Sequence, residues 1–239
     1  MLITAEPYGL FAIQGGDGAR TRFPLDRAAP EVVYVDDSTP YWHRKLRLLN
    51  APHTLLASLG MLCGYGTVRE ALGDVKLRSY LEKTIFEEII PSMGASERAA
   101  NEAYARKVLE RFENPFVEHR LLNICFHCST KTGVRLFPII SDFRRATGQL
   151  PLGVLRGIAG ILLLFREPER YAFQDANRQR LTALWSKDSL PSTPDQWIEL
   201  ARRALEDPAL WGGHSTDADI LCATLAEELV SLAASGQRS

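Results

Sequence analysis

Leu152 to Phe165 is apolar on almost every side, with Arg156 its one charged residue. A helix of that pattern cannot lie on a surface with one face in water; it has to be surrounded. The chain must therefore wrap further apolar faces around it, and after Asp37 it supplies them at helical spacing. Tyr104, Val108 and Phe112 mark one segment, Leu121, Cys125 and Cys128 the next, and Leu136, Phe137, Ile140 and Phe143 a third. Asn114-Pro115 separates the first two, and Pro138 belongs near a helix start. Thr39-Pro40 reads as a start signal, with a capping residue and then Pro in the first turn. Thr67-Val-Arg-Glu70 and Thr193-Pro-Asp-Gln196 are capping boxes. The last segments carry Trp185, Trp197 and Trp211. The expected fold is mostly α over residues 38–239.

Residues 1–37 read differently. Leu10-Phe-Ala-Ile13 and Val32-Val-Tyr-Val35 are short and β-prone, separated by a stretch bearing Gly and Pro. They predict a short β element, a small strand pair. Gly15-Gly-Asp-Gly18 between them reads as a hairpin tip or loop, with no helix behind it. No Gly-x-Gly-x-x-Gly occurs to cradle a dinucleotide.

Composition narrows the function classes. The 239 residues are 46% hydrophobic and 24% charged, with a formal net charge of −1. That is ordinary for a globular protein and offers no field for nucleic acid or an anionic membrane. The longest apolar run, Gly157 to Phe165, falls short of the ~20 residues a spanning helix needs. Met1-Leu-Ile-Thr has no basic n-region, and Glu6-Pro7 follows at once, so a cytoplasmic location is expected. Four cysteines are too few for a disulfide scaffold. Cys125-Phe-His-Cys128 lacks the second pair that a structural zinc site uses, so these thiols read as buried and reduced, and no metal is expected.

The chemistry concentrates in Lys45-Leu-Arg-Leu-Leu-Asn50-Ala-Pro-His53. On one straight helix Lys45, Asn50 and His53 fall within about 140° of arc. An amine with a lowered pKa can move a proton to or from an alcohol, and an amide and an imidazole can hold the oxyanion. Arg44 and Arg47, with burial, would push Lys45 downward. On spacing alone, solvated cations and a satisfied core histidine fit the same residues. Pro52 forces either a kink or a helix that starts anew with Pro in its first turn. Lys131 and Arg135 share one helical face and form either a carboxylate clamp or a helix-end charge cluster.

These motifs resemble the long-chain polyol dehydrogenases, the family of mannitol dehydrogenases, fructuronate reductases and tagaturonate reductases (altronate oxidoreductases). Their Lys, Asn five on and His eight on match Lys45, Asn50 and His53. In detail the likeness is to the tagaturonate reductases. It takes in Ala5-Glu-Pro-Tyr8, Val35-Asp-Asp37, Thr39-Pro-Tyr41 and Ile85-Phe-Glu-Glu-Ile-Ile-Pro91. It continues through Leu109-Glu-Arg-Phe112, Asn114-Pro-Phe116 and Ser129-Thr-Lys131 with Arg135. The resemblance implies the helical C-terminal domain of that family, with Lys45, Asn50 and His53 catalytic and Lys131 and Arg135 binding a sugar-acid substrate. Asn123 stands where mannitol-type members carry Arg, against a neutral polyol. Glu87 and Glu88 match as well, either orienting Lys45 or lining a solvated helix face.

Family members begin with a Rossmann domain that holds NAD, and this chain starts roughly where that domain ends. The resemblance thus implies a substrate-binding and catalytic half, with residues 1–37 as the link to the missing domain. No cofactor is expected on this chain alone, and no dehydrogenase activity. Other readings stay open. It could be the same half of a fructuronate reductase or mannitol dehydrogenase, or a half that works with a separately encoded dinucleotide-binding domain. It could equally be a non-catalytic remnant serving as a binding or oligomerisation module.

Overall fold

The computed structural model describes residues 9–171, 174–185, 190–212 and 219–236. The Ala5–Tyr8 match lies outside the described residues. The chain forms two compact units, Met1–Leu46 and Arg47–Ser239.

The first unit holds the strand pair, β1 (Phe11–Gln14) and β2 (Val32–Val35). They pair parallel, from Phe11 opposite Val32 to Gln14 opposite Val35. The hairpin or loop expected at Gly15–Gly18 is therefore corrected, because parallel strands need a crossover and not a tight turn. A helix, Gly16–Arg22, provides it. Gly15, at φ 129, and Gly16, at φ 50, turn the chain sharply out of β1 in conformations that L side chains avoid. Asp17 in the first turn and Arg20 and Arg22 in the last then match the helix dipole. A second helix, Thr39–Lys45, closes the unit, with Pro40 in its first turn as expected.

The second unit is helical and contains the core. Its centre is the helix Leu152–Leu164, buried on several sides. It packs against the helices Ala51–Leu62, Val75–Thr84 and Asp219–Gly236. Gly153 and Gly157 allow close approach, since a Cβ at either would overlap Thr84 or Leu55. Arg156 leaves the apolar surround through Glu228, 2.6 Å away. Trp185, Trp197 and Trp211 are buried, and the indole of Trp211 donates to the Ala204 carbonyl at 2.6 Å. Both capping boxes form, at Thr67 and Thr193. Among the described residues no helix is long and apolar enough to cross a membrane.

Two π-helical turns interrupt the α-helices, Leu46–Asn50 and Ile85–Ile89. Each is followed by a helix with proline at its second position, Ala51-Pro52 and Ile90-Pro91. The cause is common to both. Proline brings no N–H and its ring crowds the carbonyl four residues back. A widened turn before it accommodates both defects. Pro52 is thus accommodated without a break: the chain stays helical through Leu46–Asn50, and regular α geometry resumes at Ala51.

Candidate active site

Lys45, Asn50 and His53 do not share one α-helix. Lys45 ends the helix Thr39–Lys45 of the first unit. Asn50 ends the π-helical turn, and His53 lies in the first turn of Ala51–Leu62, both in the second unit. Lys45 is exposed, so the burial expected of it is not found in this chain. It follows His43 and Arg44 just before the π-helical turn, and its long stem reaches water.

Asn50 is half-buried, and its carbonyl is heavily used. It accepts from the Thr54 hydroxyl at 3.0 Å and from Nη1 of Arg135 at 3.3 Å. Among the described residues its carboxamide has no hydrogen-bond partner, so those donors are unspent.

His53 is held by rings. It stacks on Phe112 with centroids 4.0 Å apart, and His119 meets it edge-on at 5.6 Å. Nε2 has neither solvent access nor a partner. Burial pushes the imidazole down to about 3, and the charges of His119, Arg135 and Arg111 add to this. The Leu49 carbonyl opposes the shift weakly as a hydrogen-bond partner. Nε2 has no partner, so that bond runs through Nδ1–H. A neutral ring donating through Nδ1 presents Nε2 as an acceptor. With Nε2 sealed from solvent, His53 stands in the described residues as a packed neutral ring.

Lys131 and Arg135 lie one turn apart on the helix Cys128–Arg135, both half-buried. Nζ of Lys131 donates to the Ile124 carbonyl at 3.0 Å. Burial, and then Arg135, holds its pKa below the ordinary lysine value. Arg135 donates through Nη1 to Thr54 at 2.9 Å as well as to Asn50. Burial alone depresses its pKa. Among the described residues neither cation has a carboxylate within ion-pair distance. The structure therefore brings Asn50, His53 and Arg135 together, with Lys131 one turn away.

The helix that carries the two cations is anchored by Asp175. Its carboxylate accepts from the Ser129 N–H at 2.9 Å and the Ser129 hydroxyl at 2.6 Å. Cys125 and Cys128 are buried on either side of a break, with His127 at φ 54 between two helices. The single helix implied by their spacing is thus corrected. Residues Phe126 and His127 leave helical geometry so that Cys128 can start the Asp175-capped helix. Glu88 is neither a partner of Lys45 nor part of a solvated face. It accepts the N–H groups of Gly153 and Val154 at 2.8 and 3.0 Å, capping the central helix. Glu87 is exposed beside Lys83.

Residues 37–208 match the model of the mannitol dehydrogenase C-terminal domain. The chain belongs to that family. The mannitol dehydrogenase C-terminal fold seen here is shared with solved structures. It superposes on Pseudomonas fluorescens mannitol 2-dehydrogenase, solved as a ternary complex with NAD and D-mannitol, with a TM-score of 0.72. That match covers 86% of this chain and 40% of the other at 23% identity, and carries the fold alone. A substrate-free D-sorbitol dehydrogenase matches with a TM-score of 0.67 and 25% identity, over 89% of this chain and 42% of that one. Among curated relatives, altronate oxidoreductase of Yersinia pestis bv. Antiqua (strain Nepal516) is 33% identical over 100% of this chain and 50% of its own length. Altronate oxidoreductase of Escherichia coli O1:K1 / APEC is 33% identical over 99% of this chain and 50% of its own length. The chain thus spans about half the length of the curated relatives it matches. The likeness is to oxidoreductases of sugar acids and polyols.

Proposed function

We propose that this chain is the substrate-binding and catalytic half of an NAD-dependent oxidoreductase that interconverts altronate and its keto acid, tagaturonate. The observation that carries this reading is Arg135. Its Nη1 is engaged by Thr54 and Asn50, while Nε and Nη2 have no protein partner among the described residues. That leaves a two-donor edge shaped for a carboxylate, on a half-buried cation with no acid beside it. Lys131, one turn away, adds charge. The exposed Asn123, where mannitol-type members carry Arg, favours an acid over a neutral polyol.

Within this reading Arg135 and Lys131 hold the carboxylate of the sugar acid. The Asn50 amide donates to the oxygen that gains or loses a proton, while His53, its Nε2 sealed from solvent, backs the site as a neutral ring. Lys45 exchanges the proton with the reacting oxygen. Its assignment rests on the sequence match alone, by its place five before Asn50 and eight before His53.

The described residues do not fit a dinucleotide's pyrophosphate. The helix after β1 is short, and Asp17 stands in its first turn. Asp36 fills the space beside Gly16, and Asp26 lines the same 430 Å³ hollow. Arg20 lines the hollow as well and pairs with Asp26 at 2.7 Å, so the lining sets three carboxylates against one cation, an excess that disfavours a diphosphate. The reading therefore assigns NAD to a dinucleotide-binding polypeptide outside this sequence, and the residues here to substrate and proton.

Calorimetry tests the reading. Altronate is compared with altritol, the neutral polyol of the same carbon skeleton. Altronate should bind at least tenfold more tightly, and Arg135→Lys should lose most of that preference because an ammonium cannot supply the fork. Equal affinity for the two compounds contradicts it.

A further inference from the structure

Thr54 is buried, with 3% of its surface exposed, one turn after Asn50 on the helix Ala51–Leu62. Its hydroxyl makes two bonds in opposite senses. It donates to the Asn50 carbonyl at 3.0 Å and accepts from Nη1 of Arg135 at 2.9 Å. Arg135 reaches the same carbonyl directly at 3.3 Å. The three groups close a small ring of hydrogen bonds between two helices far apart in sequence.

Two consequences follow from the chemistry. A guanidinium is planar, so fixing Nη1 fixes the direction in which Nε and Nη2 point. The bonds also bear on an arginine that burial makes costly to charge and that, among the described residues, has no carboxylate to offset that cost. Without the Thr54 oxygen, Nη1 loses its shorter bond, and the guanidinium is free to rotate away from the edge-on orientation a carboxylate needs.

We propose that Thr54 is the positioning residue that gives this site its selectivity for acids: it aims the Arg135 fork and ties it to the backbone of Asn50. The proposal rests on the sugar-acid reading above. Thr54 itself touches no substrate; it acts through Arg135. The same link joins the carboxylate subsite to the turn that presents the Asn50 amide, so binding of the acid end and placement of the reacting end share one hydrogen-bonded unit.

The test uses the 239-residue chain with Thr54→Val, which keeps the shape and removes the hydroxyl, and Thr54→Ser, which restores it. Altronate and altritol binding are measured by calorimetry, and the guanidinium N–H signals of Arg135 by NMR. Thr54→Val should weaken altronate binding roughly tenfold or more, the effect of losing a hydrogen bond to a charged group. Altritol binding should change less than twofold, and Thr54→Ser should behave as the parent. The Arg135 Nη signal should be slowed in rotation in the parent and in Thr54→Ser, and averaged in Thr54→Val. Equal weakening of both ligands by Thr54→Val, or of neither, overturns the proposal. If the parent does not discriminate altronate from altritol, the sugar-acid reading fails, and an unchanged Nη signal in Thr54→Val separately overturns the Thr54 clamp. Should Thr54→Val not fold, Thr54→Cys, of similar volume and weak accepting power, takes its place with the same expected outcomes.

Discussion

The imidazole of His53 lies against the ring of Phe112, with centroids 4.0 Å apart and planes inclined by 28°. The stacking removes water from one face of a titratable ring, and the cations around it remove the reason to protonate. With its pKa near 3, His53 is neutral throughout the physiological range. The unfolded chain has an ordinary histidine, which titrates near ~6.5. Between these values the unfolded state binds a proton that the folded state does not. Folding stability should therefore fall as pH drops from about 6.5 towards 3, by up to about 1.4 kcal/mol per pH unit from this group. Denaturant titrations at several pH values should show that slope in the parent and a shallower one in His53→Phe. Identical slopes, or a His53 carbon shift that titrates near 6.5 by NMR, contradict the buried neutral ring.

Glu88 gives a test of a structural against a catalytic role. Both of its oxygens cap the central helix, so Glu88→Ala leaves two N–H groups unsatisfied and should cost about 1–2 kcal/mol of stability. Glu88→Gln keeps one acceptor and should recover part of that. Altronate affinity should be unchanged in Glu88→Gln. A large loss of affinity at unchanged stability would assign Glu88 to the site.

Much of this architecture was legible in the sequence because it is local. The buried helix Leu152–Leu164 announces itself by having no polar face, and Thr67 and Thr193 cap their helices through residues three positions on. Other features are not local. Apolar spacing does not report hydrogen-bond offset, so the π-helical turns before Pro52 and Pro91 left no trace beyond the prolines themselves. The glycines at 15–18 suggested a loop, yet the turn they make opens a crossover helix that only parallel pairing of β1 and β2 requires. Asp175 and Thr54 carry no sequence signal for a different reason. Asp175 meets Ser129, and Thr54 meets Arg135, across long stretches of chain, and no spacing marks such partners. Lys131 and Arg135 are legible as a pair from their one-turn spacing, but the absence of a neighbouring carboxylate among the described residues is a property of the packed structure.

Gly133 is set against the backbone of Trp211, and a Cβ there would overlap the Trp211 carbonyl. Backbone cannot yield as a side-chain end can, so Gly133→Ala should destabilise the chain by about 1–3 kcal/mol or more. It should also loosen the helix that carries Lys131 and Arg135. Gly73, at the end of Val68–Gly73, has nothing within 4 Å of a Cβ. Gly73→Ala should stabilise by about 0.4–1 kcal/mol through the unfolded state. Chemical denaturation of both variants distinguishes close approach from conformational freedom as the reason for each glycine.

The central claim is that this chain supplies substrate and proton chemistry while the dinucleotide is held elsewhere. The most direct measurement is a redox assay of the purified 239-residue chain with altronate and NAD, and with tagaturonate and NADH, each with and without an added dinucleotide-binding polypeptide. The account predicts no turnover by the chain alone. It predicts turnover when that polypeptide is supplied, with most of it lost in Lys45→Ala and little in Cys125→Ala. Robust turnover by the chain alone, or equal loss from those two substitutions, would contradict it.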